Sequence, residues 1–415
     1  MQPEIKGQTL PPETNQSKHT QFHLPSLIQF ICSMLATLTL IGIAITIGMG
    51  AISQAFLPTN QPEDPLPSLL IAAGLFLIGC LSIPSAVYAL ARLIGWRLPS
   101  WKIFPKLLSP IFWIIAFPLV LEAGNLLSKQ KTLSWLFLPV LHILAIGIPV
   151  AWLISIGCRR LKTGSDQRTW GSLGSGLVLA PMLIIIAEIT ALVVFILFTV
   201  MVIASSPELS SQLLQITKQI PNLSQDPDAM LQALSPILAR PWFLIFVLAF
   251  GAVIVPLIEE LLKPMGVWLL AGRSLTPAEG FIAGVLSGAG YSLFESLALS
   301  SNAGDWSTIV IARISIGIIH ITTTALSGWA IASAWRFKRY IQLGIMYMLV
   351  VVIHGLWNAL AITAAFTSFP SINISAPTFN LALRVGEAAP LALVVLMAGT
   401  FLMLILSNRA VQRSQ

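Results

Sequence analysis

Charge is scarce in this chain. Of 415 residues only 9% are Asp, Glu, Lys or Arg, against roughly 25% in an ordinary soluble domain. With 56% of residues hydrophobic, no soluble core of this length hides the apolar side chains, so aqueous globular, disordered and collagen-like chains are excluded. Cysteine is nearly missing too. Cys32, Cys80 and Cys158 stand apart, which leaves neither a disulfide framework nor a CxxC pair. No HExxH helix occurs, and no alternating apolar–polar runs of the kind a transmembrane β-barrel needs. The net charge of +7 comes from Lys and Arg in short loops between apolar runs rather than from one patch, so nucleic acid is not an expected partner.

Long apolar runs are abundant. A helix needs about 20 apolar residues to cross a bilayer, and ten runs approach or exceed that: Leu27–Phe56, Leu69–Ala91, Leu107–Leu127, Leu133–Ile156, Leu177–Ile203, Trp242–Leu262, Phe281–Ser300, Thr308–Trp335, Ile341–Phe366 and Glu387–Leu406. The expected fold is therefore all-α: a polytopic membrane bundle of about ten transmembrane helices. Basic residues cluster after every even-numbered run: Arg92, Arg97, Lys102 and Lys106; Arg159, Arg160, Lys162 and Arg168; Lys263 and Arg273; Arg336, Lys338 and Arg339; Arg409 and Arg413. Only Lys129, Lys131, Lys218, Arg240 and Arg384 fall in the odd-numbered loops. The positive-inside rule then places both termini in the cytoplasm, with the plasma membrane as the expected location.

Five segments follow from this. Residues 1–24 read as a disordered cytoplasmic tail rather than a transit peptide. Residues 25–203 form a five-helix amino-terminal membrane region. Residues 204–240 form a loop outside the cytoplasm whose apolar residues, at helical spacing, suggest interfacial helices on the bilayer. Residues 241–406 carry five further spans, and 407–415 a second cytoplasmic tail.

Polar residues at membrane depth usually face a protein interior or a cavity. In the first five runs they are isolated: Glu122, His142 and Glu188 are each expected to be structural. The second half differs. The sixth run ends Pro256-Leu257-Ile258-Glu259-Glu260-Leu261-Leu262-Lys263-Pro264, where Glu259 and Lys263 share a helix face. The seventh carries Gly280, Gly284 and Gly288, a small-residue stripe that admits close helix approach, and then Tyr291 and Glu295. The eighth offers one polar stripe of Arg313, His320, Thr324, Ser327 and Gly328. The ninth places His354 and Asn358 on one face, beside Trp357. Four consecutive spans each present titratable groups to one interior, and that coincidence marks a site.

These motifs, one per span and in this order, resemble the PrsW family of intramembrane proteases, itself distantly similar to the CAAX-protease and bacteriocin-processing group. The resemblance covers residues 242–366, or to 406 with the last span. It implies a peptidase whose polar core is Glu259, Glu260, Glu295, His320 and His354, with Lys263, Arg313, Trp357 and Asn358 in support. It also implies a membrane-protein substrate with a single span. The family commonly has Asn after the glutamate of its second motif, where Ser296 stands here. Two chemistries remain open. In one, Glu295, His320 and His354 bind zinc while Glu259 or Glu260 acts as base. In the other, the paired glutamates activate water without a metal, and His320, His354 and Asn358 stabilise the oxyanion. A proton- or ion-coupled transporter or an inactive membrane scaffold are the alternative classes. By residue count Glu295 lies roughly 20 Å from the cytoplasmic side, at about 1.5 Å per residue, while Glu259 lies near that edge. Bringing them together requires a break in the sixth span at Pro256 or a seventh span that begins at a deeper re-entrant turn.

Overall fold

The computed structural model describes residues 23–56, 64–101, 110–223, 240–298, 306–367 and 377–414. Most of the amino-terminal tail and the apolar stretch Met230–Leu238 of the large loop lie outside them. The described residues are helical throughout, joined by short turns. The first four apolar runs form α1 (Leu24–Phe56), α2 (Leu66–Ile94), α3 (Pro110–Ser128) and α4 (Lys131–Gly157). The fifth is α5 (Asp166–Gly174) and α6 (Ala180–Ala204), joined by a π-helical turn, Ser175–Leu179. In the large loop lies α7 (Pro207–Leu223). The sixth run is α8 (Pro241–Ala249), a second π-turn at Phe250–Ile254, and α9 (Val255–Leu262), followed by the single turn α10 (Met265–Trp268). Then come α11 (Pro277–Leu297), α12 (Trp306–Phe337), α13 (Tyr340–Thr367) and α14 (Pro377–Arg413), which runs on past Leu406.

Eight of these continuous helical stretches are long and apolar enough to cross a membrane. The third and seventh runs are helical but fall short. In α3 the apolar stretch is only Phe112–Ser128, and α11 is diluted by glycines, serines and Glu295. Position explains α11. It is buried along almost its whole length, from Ala278 to Leu293, and a helix wrapped by other helices has no need to be compatible with lipid.

Both π-turns sit directly before a proline, Pro181 in α6 and Pro256 in α9. Proline has no N–H for the carbonyl four residues back, and one extra residue per turn accommodates the loss; such bulges recur at functional sites. The second π-turn is bound on its open side. Asn358 Nδ2 donates to the Gly251 carbonyl at 2.8 Å, and the Ala252 carbonyl packs against the backbone of Gly355, where a Cβ would collide with it.

One core joins the two halves of the chain. Ile78 of α2, Ile146 of α4 and Leu173 of α5 pack with Phe281 and Val285 of α11, Ile321 of α12 and Leu404 of α14. Close backbone approaches set the register. Gly176 meets the Ser287 carbonyl, and Gly290 meets the carbonyl of Leu173. Arg168 of α5 pairs with Glu279 at 2.6 Å, and Glu279 also closes a capping box with Thr276 at the start of α11. The amino-terminal helices therefore fix where the central helix stands.

Candidate active site

The glycine stripe of α11 is the foundation of the site. A Cβ at Gly284 would collide with the Thr324 carbonyl, one at Gly280 with that of Gly328, and one at Gly288 would lie 2.8 Å from that of His320. With no side chains in the way, α12 lies directly on α11, and His320 comes to rest against Tyr291, their rings edge-to-face with centroids 5.1 Å apart. Ser287, fully buried on α11, donates to the Lys263 carbonyl at 2.6 Å and accepts from the Gly266 N–H at 3.3 Å. The turn carrying Lys263 is thus pinned to the same helix. From the other side, Tyr347 of α13 donates to the Leu257 carbonyl at 2.7 Å, holding α9 against the helix that carries His354.

Five groups converge in the space so defined. The Lys263 ammonium, wholly buried, lies 2.8 Å from Glu259 Oε2, 3.0 Å from Glu260 Oε1, 2.7 Å from His320 Nδ1 and 3.3 Å from His354 Nδ1. An ammonium only donates, so His320 Nδ1 is an acceptor and its proton sits on Nε2. That Nε2–H donates to Glu295 Oε2 at 2.6 Å, and Arg313 holds the other oxygen of Glu295 at 3.0 Å. His354 Nδ1 lies 3.0 Å from Glu260 Oε1. A carboxylate only accepts, so this shorter contact places the proton on Nδ1 and leaves the lone pair of Nε2, which is 3.9 Å from Glu259 Oε2. Each histidine is therefore gripped from behind by its own glutamate, and both free nitrogens turn inward beside Glu259.

This is the arrangement expected of metal-ligating histidines, whose outer N–H is fixed by a carboxylate. Donor atoms of Glu259, His320 and His354 lie within 4.8 Å of one another, all three residues buried. Two neutral imidazoles and one carboxylate suit zinc. Glu260 Oε2 has no hydrogen-bond partner among the described residues, and the contact of Glu259 Oε2 with Lys263 is an ion pair without hydrogen-bond alignment. The residues present fit a divalent metal. The Lys263 ammonium now lies against two of these donors, Glu259 Oε2 and His320 Nδ1.

Most of the residues singled out in the sequence come together here, though in changed parts. The expected ligand set of Glu295, His320 and His354 is revised. Glu295 sits on the outer nitrogen of His320, and Glu259 takes the inward place. The distance along the membrane explains it, because Glu295 is reached only across the width of the His320 ring. Glu259 and Glu260, adjacent in sequence, share Lys263 and His354 but meet different nitrogens of that ring. Asn358 braces the π-turn instead of facing the centre, and Trp357 packs with Ile316, Ile319 and Ile353 in a separate apolar cluster. Glu122 is exposed, and His142 is buried beside Trp306, apart from the cluster.

One residue was missed. Glu188, on α6 of the amino-terminal half, lies near enough to Glu259 for their charges to interact, as does Tyr291. Its Oε1 is buried without a hydrogen-bond partner among the described residues. A lone glutamate in an otherwise apolar run was the only signal available, and that signal does not say what the glutamate will meet.

Fold and site together define a polytopic α-helical membrane protein with a buried glutamate–histidine centre. Residues 222–384 match the family described as PrsW family intramembrane metalloprotease. That range contains every residue of the centre except Glu188. No curated protein and no solved structure matches the chain.

Proposed function

We propose that this protein is an intramembrane peptidase that hydrolyses a peptide bond in or near the membrane segment of a single-span protein. The observation that carries this reading is the convergence of Glu259 with two histidines, each oriented by its own carboxylate, inside a bundle of membrane-spanning helices. Glu259 Oε2 is the carboxylate oxygen aimed at the centre; it would be a ligand when a metal is bound, and the base that takes a proton from the attacking water on the metal-free route. Glu260 and Glu295 keep His354 and His320 in the tautomers that face inward, and Arg313 keeps Glu295 in place. The donors Glu259, His320 and His354 would hold a zinc ion, which would supply Lewis-acid polarisation of the scissile carbonyl. The match to a metalloprotease family supports that choice over the metal-free route.

The test is cleavage of a single-span reporter by the full chain in proteoliposomes. Folded wild-type protein should cleave it, chelation should stop cleavage, and His320→Ala should lower turnover at least ~10²-fold. A folded wild type that cleaves no reporter from a panel of single-span segments would sink the reading. Cleavage that survives chelation would return the chemistry to the glutamates alone.

We also propose that the protein lies in the plasma membrane with both chain ends in the cytoplasm. The basic loops support this orientation. With the three cysteines replaced by alanine, Ser211→Cys on the exposed side of α7 should react with an impermeant thiol reagent only from outside the cell. Reaction from the cytoplasm alone would reverse the orientation.

A further inference from the structure

We propose that Lys263 is a resident cation that occupies the metal position and competes with a divalent ion for it. The inference rests on the metal-dependent reading above and adds a control on metal loading.

The ammonium stands against two of the three donors, 2.8 Å from Glu259 Oε2 and 2.7 Å from the free nitrogen of His320, while its 3.3 Å contact with His354 is to the Nδ1 that faces Glu260. Metal–donor distances are shorter still, about 2.0–2.2 Å for zinc with nitrogen or oxygen. An ion using the same Glu259 and His320 atoms therefore cannot share the space with Nζ. One of the two must leave. His320 Nδ1 and the Glu259 carboxylate are common to both, since a lone pair on either attracts an ammonium or binds a metal.

Charge explains why a cation stays. In their ionised forms Glu259, Glu260 and Glu295 face only Lys263 and Arg313 in this cluster. Without Lys263 two negative charges would remain uncompensated out of water, which is costly. The ammonium has somewhere to go without leaving the cluster. Glu260 Oε1 at 3.0 Å and the face of Tyr291, 4.9 Å from Nζ to its centroid, lie outside the three-donor set. A small shift along the flexible stem would free Glu259 and His320 while keeping both of these contacts. A neutral side chain at 263 leaves the donors vacant and the negative charge unmet, and both changes favour a metal.

The consequence is quantitative in form. When the binding-competent state is only a fraction of the population, apparent affinity falls by that fraction. If the ammonium holds the position at least nine-tenths of the time, metal binding is weakened about tenfold or more. The experiment is titration of the purified, detergent-solubilised full chain with Co²⁺ and Zn²⁺, read by calorimetry and by the Co²⁺ absorption bands, for wild type, Lys263→Met and Lys263→Gln. Thermal unfolding of each variant shows which are folded. Either folded variant should bind at least ~10-fold more tightly than wild type. Adding His320→Ala should abolish that gain. Equal or weaker binding in a folded Lys263 variant overturns the competition and leaves the metal-dependent reading intact. Absence of binding in wild type and variants alike, all folded, overturns both. Failure of both variants to fold would make Lys263 a structural ion-pair partner whose removal the cluster does not tolerate, and would also overturn the proposal.

Discussion

Replacing Glu259 by Gln should lower turnover on a single-span reporter by at least ~10²-fold, the usual contribution of a positioned base, while the protein stays folded in detergent. Gln keeps the size of the side chain. It can neither take a proton nor serve as an anionic donor, so the expectation holds whether Glu259 acts on water directly or through a bound ion. Glu260→Gln tests a different part. Its carboxylate orients His354 at 3.0 Å, and loss of such a supporting group commonly costs ~10- to 100-fold in metal affinity or activity. Gln can still accept from His354 Nδ1–H, which places Glu260→Gln at the mild end of that range. The adjacent pair should therefore split into a severe variant and a milder one. Equal, near-wild-type turnover for both would show that the two glutamates only pair with Lys263. Thermal unfolding of each variant beside the cleavage assay separates a dead site from a lost fold.

Gly284→Leu should behave in the opposite way, losing stability and activity together. A Cβ at Gly284 runs into the Thr324 carbonyl, and backbone cannot swing aside as the end of a side chain can. Overpacking of a well-packed core typically costs about 1–3 kcal/mol, occasionally more. Here it also pushes α12, and with it His320, away from α11. Gly344 is the control. Nothing lies within 4 Å of a Cβ there, so Gly344→Ala in α13 should be neutral or gain up to ~1 kcal/mol from helix propensity alone. The midpoints of thermal unfolding decide it. A Gly284→Leu protein as stable as wild type would mean that the α11–α12 contact yields more readily than its geometry implies.

The glycine stripe shows what kind of information the sequence holds. Gly280, Gly284 and Gly288 are spaced by four, which announces close approach of another helix but does not name it. The partner is the backbone of α12 at Gly328, Thr324 and His320. The polar stripe of α12 then divides. Thr324 and Gly328 serve the contact, while His320 and Arg313 serve the site. Asn358 is a similar case. A polar side chain one turn from His354 reads as part of the chemistry, yet it is taken by a carbonyl that the π-turn before Pro256 leaves exposed on that side.

The sequence by itself determined the membrane bundle, because apolar runs of bilayer length admit no other backbone state. It also determined which four spans carry the centre, since charge is too costly at that depth to be scattered there without purpose. Only the tertiary structure decided the parts. Which nitrogen of each histidine turns inward, which glutamate stands behind which ring, and that Glu188 arrives from the other half of the chain all depend on helix rotation and register. Those are set by backbone contacts at glycines, by one serine on one carbonyl and by two π-turns. A periodicity of 3.6 residues gives the face of a helix but not the neighbour it meets, and so the sequence names the ligand types while packing alone assigns them their places.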